Sequence, residues 1–203
     1  MKCLYVTDRG AIGDARLERL LDELRGLLGL IVQLREKAAT DREVLRLAEL
    51  ARRKLGPAVP LFVNRRLDVA IAAGAQGVHL PADGLPLARV RSGSPRGLRV
   101  GISTHSADEA ARAIDEGADL VVIGPVFETP SKKAFGPPLG PGALAALPPR
   151  GSHEAEIFAI GGIDESRLDE LAAFGDRISG IAAVRLIQEA ANPRALVERI
   201  ARA

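Results

Sequence analysis

The chain has 203 residues, of which 47% are hydrophobic and 27% charged, and its formal net charge is +2. This composition is typical of a soluble globular protein, and a length of about 200 residues favours one domain. A single cysteine, Cys3, excludes an internal disulfide framework and a cysteine-based metal cluster, which fits a reducing compartment.

Nucleic acids and membranes are poor partners for such a chain. The arginines are dispersed among acidic residues, the longest basic run is Arg52–Lys54, and only 3% of the residues are aromatic. Binding to nucleic acid would require a clustered basic patch and stacking rings. The apolar stretches are far shorter than the about 20 residues of a membrane span, and the first residues form a strand pattern rather than a signal peptide. We therefore expect a cytoplasmic protein that binds neither.

Eight short aliphatic or β-branched runs alternate with helical segments along the chain. The runs are Cys3–Thr7, Leu30–Gln33, Leu61–Asn64, Gly77–Leu80, Arg99–Ser103, Leu120–Gly124, Glu156–Ile160 and Gly180–Val184. Buried parallel strands separated by helices are typical of a (β/α)8 barrel.

The helical segments have apolar residues at the 3.6-residue period. The clearest are Ala15–Leu28, Asp41–Leu55, Ala107–Glu116 and Glu165–Phe174. Three of the helices have predicted N-caps, at Thr40, Ser106 and Asp164. Because strand and helix alternate without interruption, we predict an α/β protein with a single TIM-barrel domain over residues 1–203.

The second strand runs into a polar segment that predicts an anion site. In this fold the active site lies in the loops after the strands. Successive side chains of a strand point to opposite faces, so Gln33, Arg35 and Lys37 should all point toward the mouth of the barrel. The two cations, Arg35 and Lys37, would bind a phosphate or a carboxylate there. The alternative is that both cations are surface charges paired with Glu36.

Polar residues also follow the next three strands. Asn64 ends the third strand, His79 lies within the fourth, and Ser103 to His105 end the fifth. His105 is placed to exchange protons near neutral pH, or else steadies its turn. His79 is more typical of a hydrogen-bonded core residue than of a catalyst.

The last two strands end in Gly161-Gly162 and Val184-Arg185. Barrels of this class frequently bind phosphate with these two loops, so we predict a phosphate site there. The Gly- and Pro-rich connection Pro125–Gly142 is unusually long, and we expect it to close over a ligand. The alternative is a disordered connection.

An ordered series of segments resembles the superfamily of thiamine phosphate synthases and TenI-like thiazole tautomerases. The matching segments are Tyr5–Arg9, Gln33–Lys37, Phe62–Asn64, Leu67–Ala70, Gly77–Leu80, Gly101–His105, Gly124–Phe127, Ser131–Lys133 and Ala159–Ile163.

The resemblance to the synthases implies a reaction that joins a pyrimidine diphosphate to a thiazole phosphate, with Mg²⁺ holding the pyrophosphate that leaves. It implies that the pyrimidine diphosphate contacts Gln33 to Lys37, Asn64, Ser103 and Lys132, with Lys133 beside it. It implies that the thiazole phosphate contacts Thr129, Ser131, Gly162 and the corner Val184-Arg185.

The chain departs from the synthase pattern at the metal ligands. Two aspartates expected after the third and fourth strands are replaced by Arg65 and Gly84. Mg²⁺ requires hard oxygen ligands and arginine is a permanent cation, so we predict no metal site. Arg185 replaces a serine in the phosphate corner.

The chain also departs from the tautomerase pattern, in which a histidine follows the glycine of the sixth strand and serves as acid or base. That position is Pro125. The candidate catalytic residues are therefore His105, Glu36 and Lys37.

Three functions remain open from the sequence. The first is a metal-independent tautomerase that makes a thiazole phosphate aromatic by proton transfer, with no cofactor. The alternative is a thiamine phosphate synthase, which alone would use Mg²⁺, and the third is a non-catalytic ligand-binding or regulatory paralogue. The expected partner is a small phosphorylated thiazole, and a homodimer is compatible with the sequence.

Overall fold

Eight parallel strands close into a barrel in the computed structural model of the chain, which describes residues 1–129 and 137–203. The strands are β1 (Lys2–Val6), β2 (Leu30–Leu34), β3 (Leu61–Asn64), β4 (Gly77–Leu80), β5 (Arg99–Thr104), β6 (Leu120–Ile123), β7 (Glu156–Ile160) and β8 (Gly180–Ala183). Each strand pairs with the next along the chain, and β8 pairs with β1. The predicted (β/α)8 fold is confirmed.

The described residues also form ten α-helices and a 3₁₀ turn. The helices are α1 (Arg9–Ile12), α2 (Asp14–Glu23), α3 (Asp41–Leu55), α4 (Leu67–Ala72), α5 (Leu87–Gly93), α6 (Ala107–Asp115), α7 (Gly142–Ala145), α8 (Leu168–Ala172), α9 (Arg185–Gln188) and α10 (Pro193–Arg202), and the 3₁₀ turn is Glu165–Arg167. None of these helices is long and apolar enough to cross a membrane.

The apolar side chains form two packed layers, one inside the barrel and one between strands and helices. The inner cluster consists of Leu4, Val6, Ile31, Phe62, Leu120, Val122, Phe158 and Ala182. Because the strands are covered on both faces, β2, β4, β6 and β8 are buried along their whole length. This double burial is the reason why the strands appear in the sequence as continuous aliphatic runs.

The predicted N-caps are confirmed. The Thr40 hydroxyl accepts from the backbone N–H of Glu43 in a full capping box, and the Ser106 hydroxyl accepts from that of Glu109 at 3.1 Å. Asp164 accepts from the backbone N–H of Ser166 at 2.9 Å. These hydrogen bonds cap the N-termini of α3, α6 and the 3₁₀ turn.

Two helix predictions were wrong in their extent. The helix predicted over Ala15–Leu28 ends at Glu23, because the chain turns and Gly26 takes a φ of 68°. The helix predicted over Glu165–Phe174 is divided into the 3₁₀ turn and α8.

The amino-terminal end of the barrel is closed by paired charges. Glu156, at the start of β7, accepts hydrogen bonds from Lys2 and from Arg99, the latter at 2.8 Å. The Arg99 guanidinium also lies 5.4 Å from the centre of the Phe62 ring. Each of the three charges in this group therefore has an opposite charge beside it.

Candidate active site

A cavity of about 1210 Å³ lies at the carboxyl end of the strands. Many predicted site residues line it. They are Gln33, Arg35, Lys37, Ser103, His105, Thr129, Gly161, Gly162, Val184 and Arg185. The fold therefore collects side chains and backbone from strands far apart in sequence into one space, as expected for the mouth of a barrel.

On β2 and just beyond it, alternate residues face the cavity, as the strand period predicted. Gln33, Arg35 and Lys37 line the cavity, whereas Leu34 is buried on the other side. The half-buried guanidinium of Arg35 forms no hydrogen bond or ion pair with the residues that the structure describes. Burial lowers the pKa of Arg35, against the attraction of the Asp8 and Glu36 carboxylates. This cation is therefore available to an anionic ligand.

Glu36 lies outside the cavity lining and its carboxylate is already engaged. One oxygen accepts from the Thr7 hydroxyl at 2.5 Å and the other from the backbone N–H of Arg9 at 3.0 Å. Burial raises the pKa of Glu36, while these two hydrogen bonds and the charge of Arg9 lower it. The arrangement ties the end of β2 to the first loop, which favours a structural role over the predicted proton transfer.

Asn64 also lies outside the lining, at the end of β3 and in register with His79. The next residue, Arg65, has a φ of 65°, in the left-handed region that favours glycine. Its guanidinium donates to Asp83 at 2.8 Å in an exposed ion pair. The loops after β3 and β4 are thereby joined across the rim of the barrel.

His105 is exposed in the cavity, and one of its ring nitrogens is fixed by the backbone. Its Nδ1 lies 2.6 Å from the carbonyl oxygen of Gly124. A carbonyl oxygen only accepts, so Nδ1 carries a proton and Nε2 is left to exchange one with a ligand. The geometry suits the role of acid or base predicted for this residue.

His79 lines the cavity as well, although the sequence favoured a core role. It is 2% exposed, and its Nε2 lies 2.9 Å from the Ser103 hydroxyl oxygen. Burial, and then the charge of Arg35, lower its pKa to about 3. The imidazole is therefore neutral at physiological pH.

The two glycines after β7 are required by packing. A Cβ on Gly162 would lie 2.4 Å from the carbonyl oxygen of Glu128, and one on Gly161 would lie 2.6 Å from the Pro125 Cβ. The Phe127 N–H donates to the carbonyl of Gly161 at 3.0 Å. We define this close contact between 125–128 and 161–162 as the glycine clasp.

Arg185, at the start of α9, faces the cavity from the end of β8. Its guanidinium lies 3.4 Å from the Thr129 hydroxyl oxygen, and it has no carboxylate partner among the described residues. Ser131, Lys132 and Lys133 lie outside the described residues, as does the part of the predicted lid from 130 to 136.

Several lining residues were not among the predicted site residues, although His79 and Thr104 had been noted as polar residues of the fourth and fifth strands. They are Asp8, His79, Thr104, Glu128, Asp164, Glu165, Ser166 and Glu189. Asp8 follows β1, so applying the strand-end rule to the first strand would have found it. The other acids lie in loops whose course the strand pattern does not determine.

The chain matches the family described as "Thiamine monophosphate synthase" over residues 3–187. It is 41% identical over 184 residues to a thiamine-phosphate synthase of Methanoculleus marisnigri, covering 89% of this chain and 86% of that protein. It is 38% identical over 192 residues to a putative thiamine-phosphate synthase of Geobacter sulfurreducens, covering 93% and 87%. This chain belongs to the thiamine monophosphate synthase family.

A solved structure supports the same assignment. The thiamine phosphate pyrophosphorylase of Pyrococcus furiosus superposes with a TM-score of 0.80 at 27% identity, covering 99% of this chain and 94% of that one. The resemblance inferred from the ordered motifs is thus confirmed at the level of the family.

The resemblance to the synthases implies Mg²⁺, and the residues at the expected place do not fit it. Position 65 is an arginine, and the neighbouring carboxylate of Asp83 is neutralised by that arginine. The described residues bring together no group of three or more His, Cys, Asp or Glu side chains that could hold a metal ion. A divalent cation needs several hard oxygen ligands, and this rim offers a guanidinium instead.

Proposed function

We propose that this protein is a thiamine-phosphate synthase, which joins a pyrimidine methyl diphosphate to a thiazole phosphate. The observation that carries the proposal is a cavity with two separate cationic sides in a chain 38% and 41% identical to proteins named as such synthases. Arg35 faces the cavity from the end of β2 and Arg185 from the end of β8. Two phosphorylated substrates need two such places.

In the proposed reaction the thiazole nitrogen attacks the methylene carbon of the pyrimidine. A carbon–nitrogen bond forms, the carbon–oxygen bond to the diphosphate breaks, and pyrophosphate leaves with the electron pair. Arg35, with Lys37 beside it at the mouth, binds the diphosphate and stabilises the charge that develops on it. Bidentate binding by Arg35 is available because its guanidinium has no partner among the described residues.

Arg185 and the Thr129 hydroxyl bind the phosphate of the thiazole on the other side. They lie within 3.4 Å of each other, so one phosphate group is able to contact both. The predicted role of the glycine pair is modified: Gly161 and Gly162 contribute chiefly by letting the loops after β6 and β7 pack closely.

A thiazole phosphate tautomerase is a second candidate, and one observation favours it. His105 lines the cavity and its Nδ1 is held by the Gly124 carbonyl, so Nε2 is the ring nitrogen that would carry the proton. This reaction needs no metal, which agrees with the poor fit of Arg65 and Asp83 to a divalent cation.

Product analysis separates the two candidates. The protein is incubated with both synthase substrates, once with Mg²⁺ and once with a chelator, and thiamine phosphate and pyrophosphate are measured. We expect the wild type to form thiamine phosphate and pyrophosphate. The control variant Arg112→Ala, at an exposed arginine of α6, should form the same products. Arg35→Ala should lower the rate about 100-fold.

Failure to form thiamine phosphate under either condition would exclude the synthase. Aromatisation of the carboxylated thiazole phosphate, followed by ultraviolet absorbance and reduced in His105→Ala, would then establish the tautomerase. Saturable binding of the thiazole phosphate without turnover in either assay would identify a non-catalytic paralogue.

A further inference from the structure

The second histidine of the cavity, His79, contacts a hydroxyl that faces the same space. His79 lies in the middle of β4, Ser103 lies near the end of β5, and both line the cavity. The distance from the His79 Nε2 to the Ser103 hydroxyl oxygen is 2.9 Å. His79 is 2% exposed, so its ring is held in place by the packing around it.

The other ring nitrogen of His79, Nδ1, lies against backbone rather than against a polar group of the described part of the chain. Nδ1 is inaccessible to solvent and has no hydrogen-bond partner among residues 1–129 and 137–203. It packs against the backbone of Gly101, because a Cβ built on that residue would lie 2.7 Å from it. The Gly101 backbone therefore occupies this edge of the ring.

The position of the single ring proton follows from this asymmetry. A neutral imidazole has one N–H donor and one acceptor nitrogen. Orphaned N–H donors are rarer in protein interiors than orphaned acceptors, so the unpartnered Nδ1 is the acceptor. The proton therefore resides on Nε2, which donates to the Ser103 oxygen.

We infer that His79 is a positioning residue that turns the Ser103 hydroxyl into a hydrogen-bond donor toward the ligand. Since the Ser103 oxygen accepts from His79, its own hydrogen is directed away from the imidazole and into the cavity. The hydroxyl thereby selects an acceptor atom on the ligand and disfavours a donor. The inference rests on the proposed function only for the ligand, which we take to be the pyrimidine diphosphate.

The tautomer is measurable on the unliganded protein by ¹⁵N NMR of the histidine side chains. The chain has three histidines, so single substitutions assign every signal. We expect His79 to carry its proton on Nε2 at pH 7. His105 provides the matched internal control, because its bond to the Gly124 carbonyl requires a proton on Nδ1. A proton on Nδ1 of His79 would overturn the inference, whatever reaction the protein catalyses.

Binding of the pyrimidine diphosphate, measured by calorimetry, tests the consequence for the ligand. We expect His79→Leu and Ser103→Ala each to weaken binding about tenfold, and the double variant to bind no worse than Ser103→Ala. His79→Gln, which keeps an N–H donor near the Nε2 position, should bind within about threefold of the wild type.

If the losses of affinity in His79→Leu and Ser103→Ala multiplied in the double variant, the two residues would act independently, and the inference that His79 acts through Ser103 would be wrong. So would equal losses in His79→Gln and His79→Leu, because a purely structural role of the ring would not distinguish a retained donor from a lost one. Melting temperatures of all four variants verify that each one is folded, and the NMR result stands without them.

Discussion

The two ends of the barrel differ in how their charged side chains are paired. At the amino-terminal end, Glu156 is enclosed by Lys2 and Arg99, so each charge has its opposite within contact. At the carboxyl end, Arg35 and Arg185 face the cavity without a carboxylate partner among the described residues. Both ends are built from the same eight strands and the same kinds of residue.

The difference in charge pairing suggests that the amino-terminal end stabilises the fold and the carboxyl end binds the ligand. A paired, half-buried charge stabilises the fold, whereas a half-buried cation without a partner loses hydration and gains nothing until an anion arrives. Arg35 shows this effect, since burial lowers its pKa despite nearby acids. Substitutions at the two ends should therefore change different measured quantities.

The largest effect is expected for Arg35→Ala. Removing this guanidinium, which has no hydrogen-bond or ion-pair partner among the described residues, should weaken binding of inorganic pyrophosphate about 100-fold, as measured by calorimetry, because a charged hydrogen bond contributes about 1.5 to 3 kcal/mol. The melting temperature should stay the same or rise, since the substitution removes no hydrogen bond or ion pair of the guanidinium to residues that the structure describes. Arg112→Ala serves as the control. If Arg35→Ala lowered the melting temperature and left the affinity unchanged, Arg35 would stabilise the fold rather than bind the ligand, and the two ends of the barrel would not differ.

The opposite pattern is expected for Glu156→Gln. Removing the carboxylate that joins Lys2 and Arg99 should lower the free energy of unfolding at pH 7 by about 2 kcal/mol, as measured by urea denaturation. Pyrophosphate affinity should not change. An unaltered unfolding curve would mean that the paired charges contribute nothing.

The pH dependence of the same variant sharpens this prediction. Burial raises the pKa of Glu156, but hydrogen bonds from Arg99 and Lys2 outweigh it and hold the pKa below its ordinary 4.5. The unfolded chain thus binds the proton more readily, and the stabilisation is present above pH 4.5 and lost as the pH falls below it. The difference between wild type and Glu156→Gln should shrink in that acidic range.

A smaller effect is expected for Arg185→Ala. Among the described residues its guanidinium has one hydrogen-bond partner, the neutral hydroxyl of Thr129. Loss of this cation should weaken binding of the thiazole phosphate about tenfold, as measured by calorimetry, with little change in melting temperature. Tighter binding in the variant would show that Arg185 obstructs the phosphate site.

The smallest effect is expected for Thr40→Ala. Thr40 lies at the same end of the barrel as Arg35, where it caps α3 outside the cavity. Its loss should lower the free energy of unfolding by about 1 kcal/mol and leave both affinities unchanged. A change in affinity would mean that this whole end of the barrel is coupled to the ligand.

The strands were predictable because burial on both faces leaves a continuous aliphatic run. The sequence placed β3, β4 and β7 at the residues where the structure has them. Helix ends were harder to predict. Leu24, Leu27 and Leu28 continue the apolar pattern of α2, although the helix ends at Glu23. The turn that follows includes Gly26 with a φ of 68°, and the hydrophobic pattern does not predict this backbone conformation.

The site was predictable where one strand alone determines the geometry. Alternation on β2 was sufficient to direct Gln33, Arg35 and Lys37 into the cavity. Glu36 was harder to interpret, since its role depends on contacts with Thr7 and Arg9, which are distant in sequence.

His79 shows the same limit. Its pairing with Ser103 depends on the register between β4 and β5, in which His79 lies opposite Gly101. No local pattern in the sequence carries that register.

The glycine clasp restricts how this barrel is able to acquire new specificity. Gly161 and Gly162 lie so close to residues 125–128 that neither glycine has space for a side chain. Variation in length between β6 and β7, whether in evolution or in the laboratory, therefore has to begin downstream of Glu128.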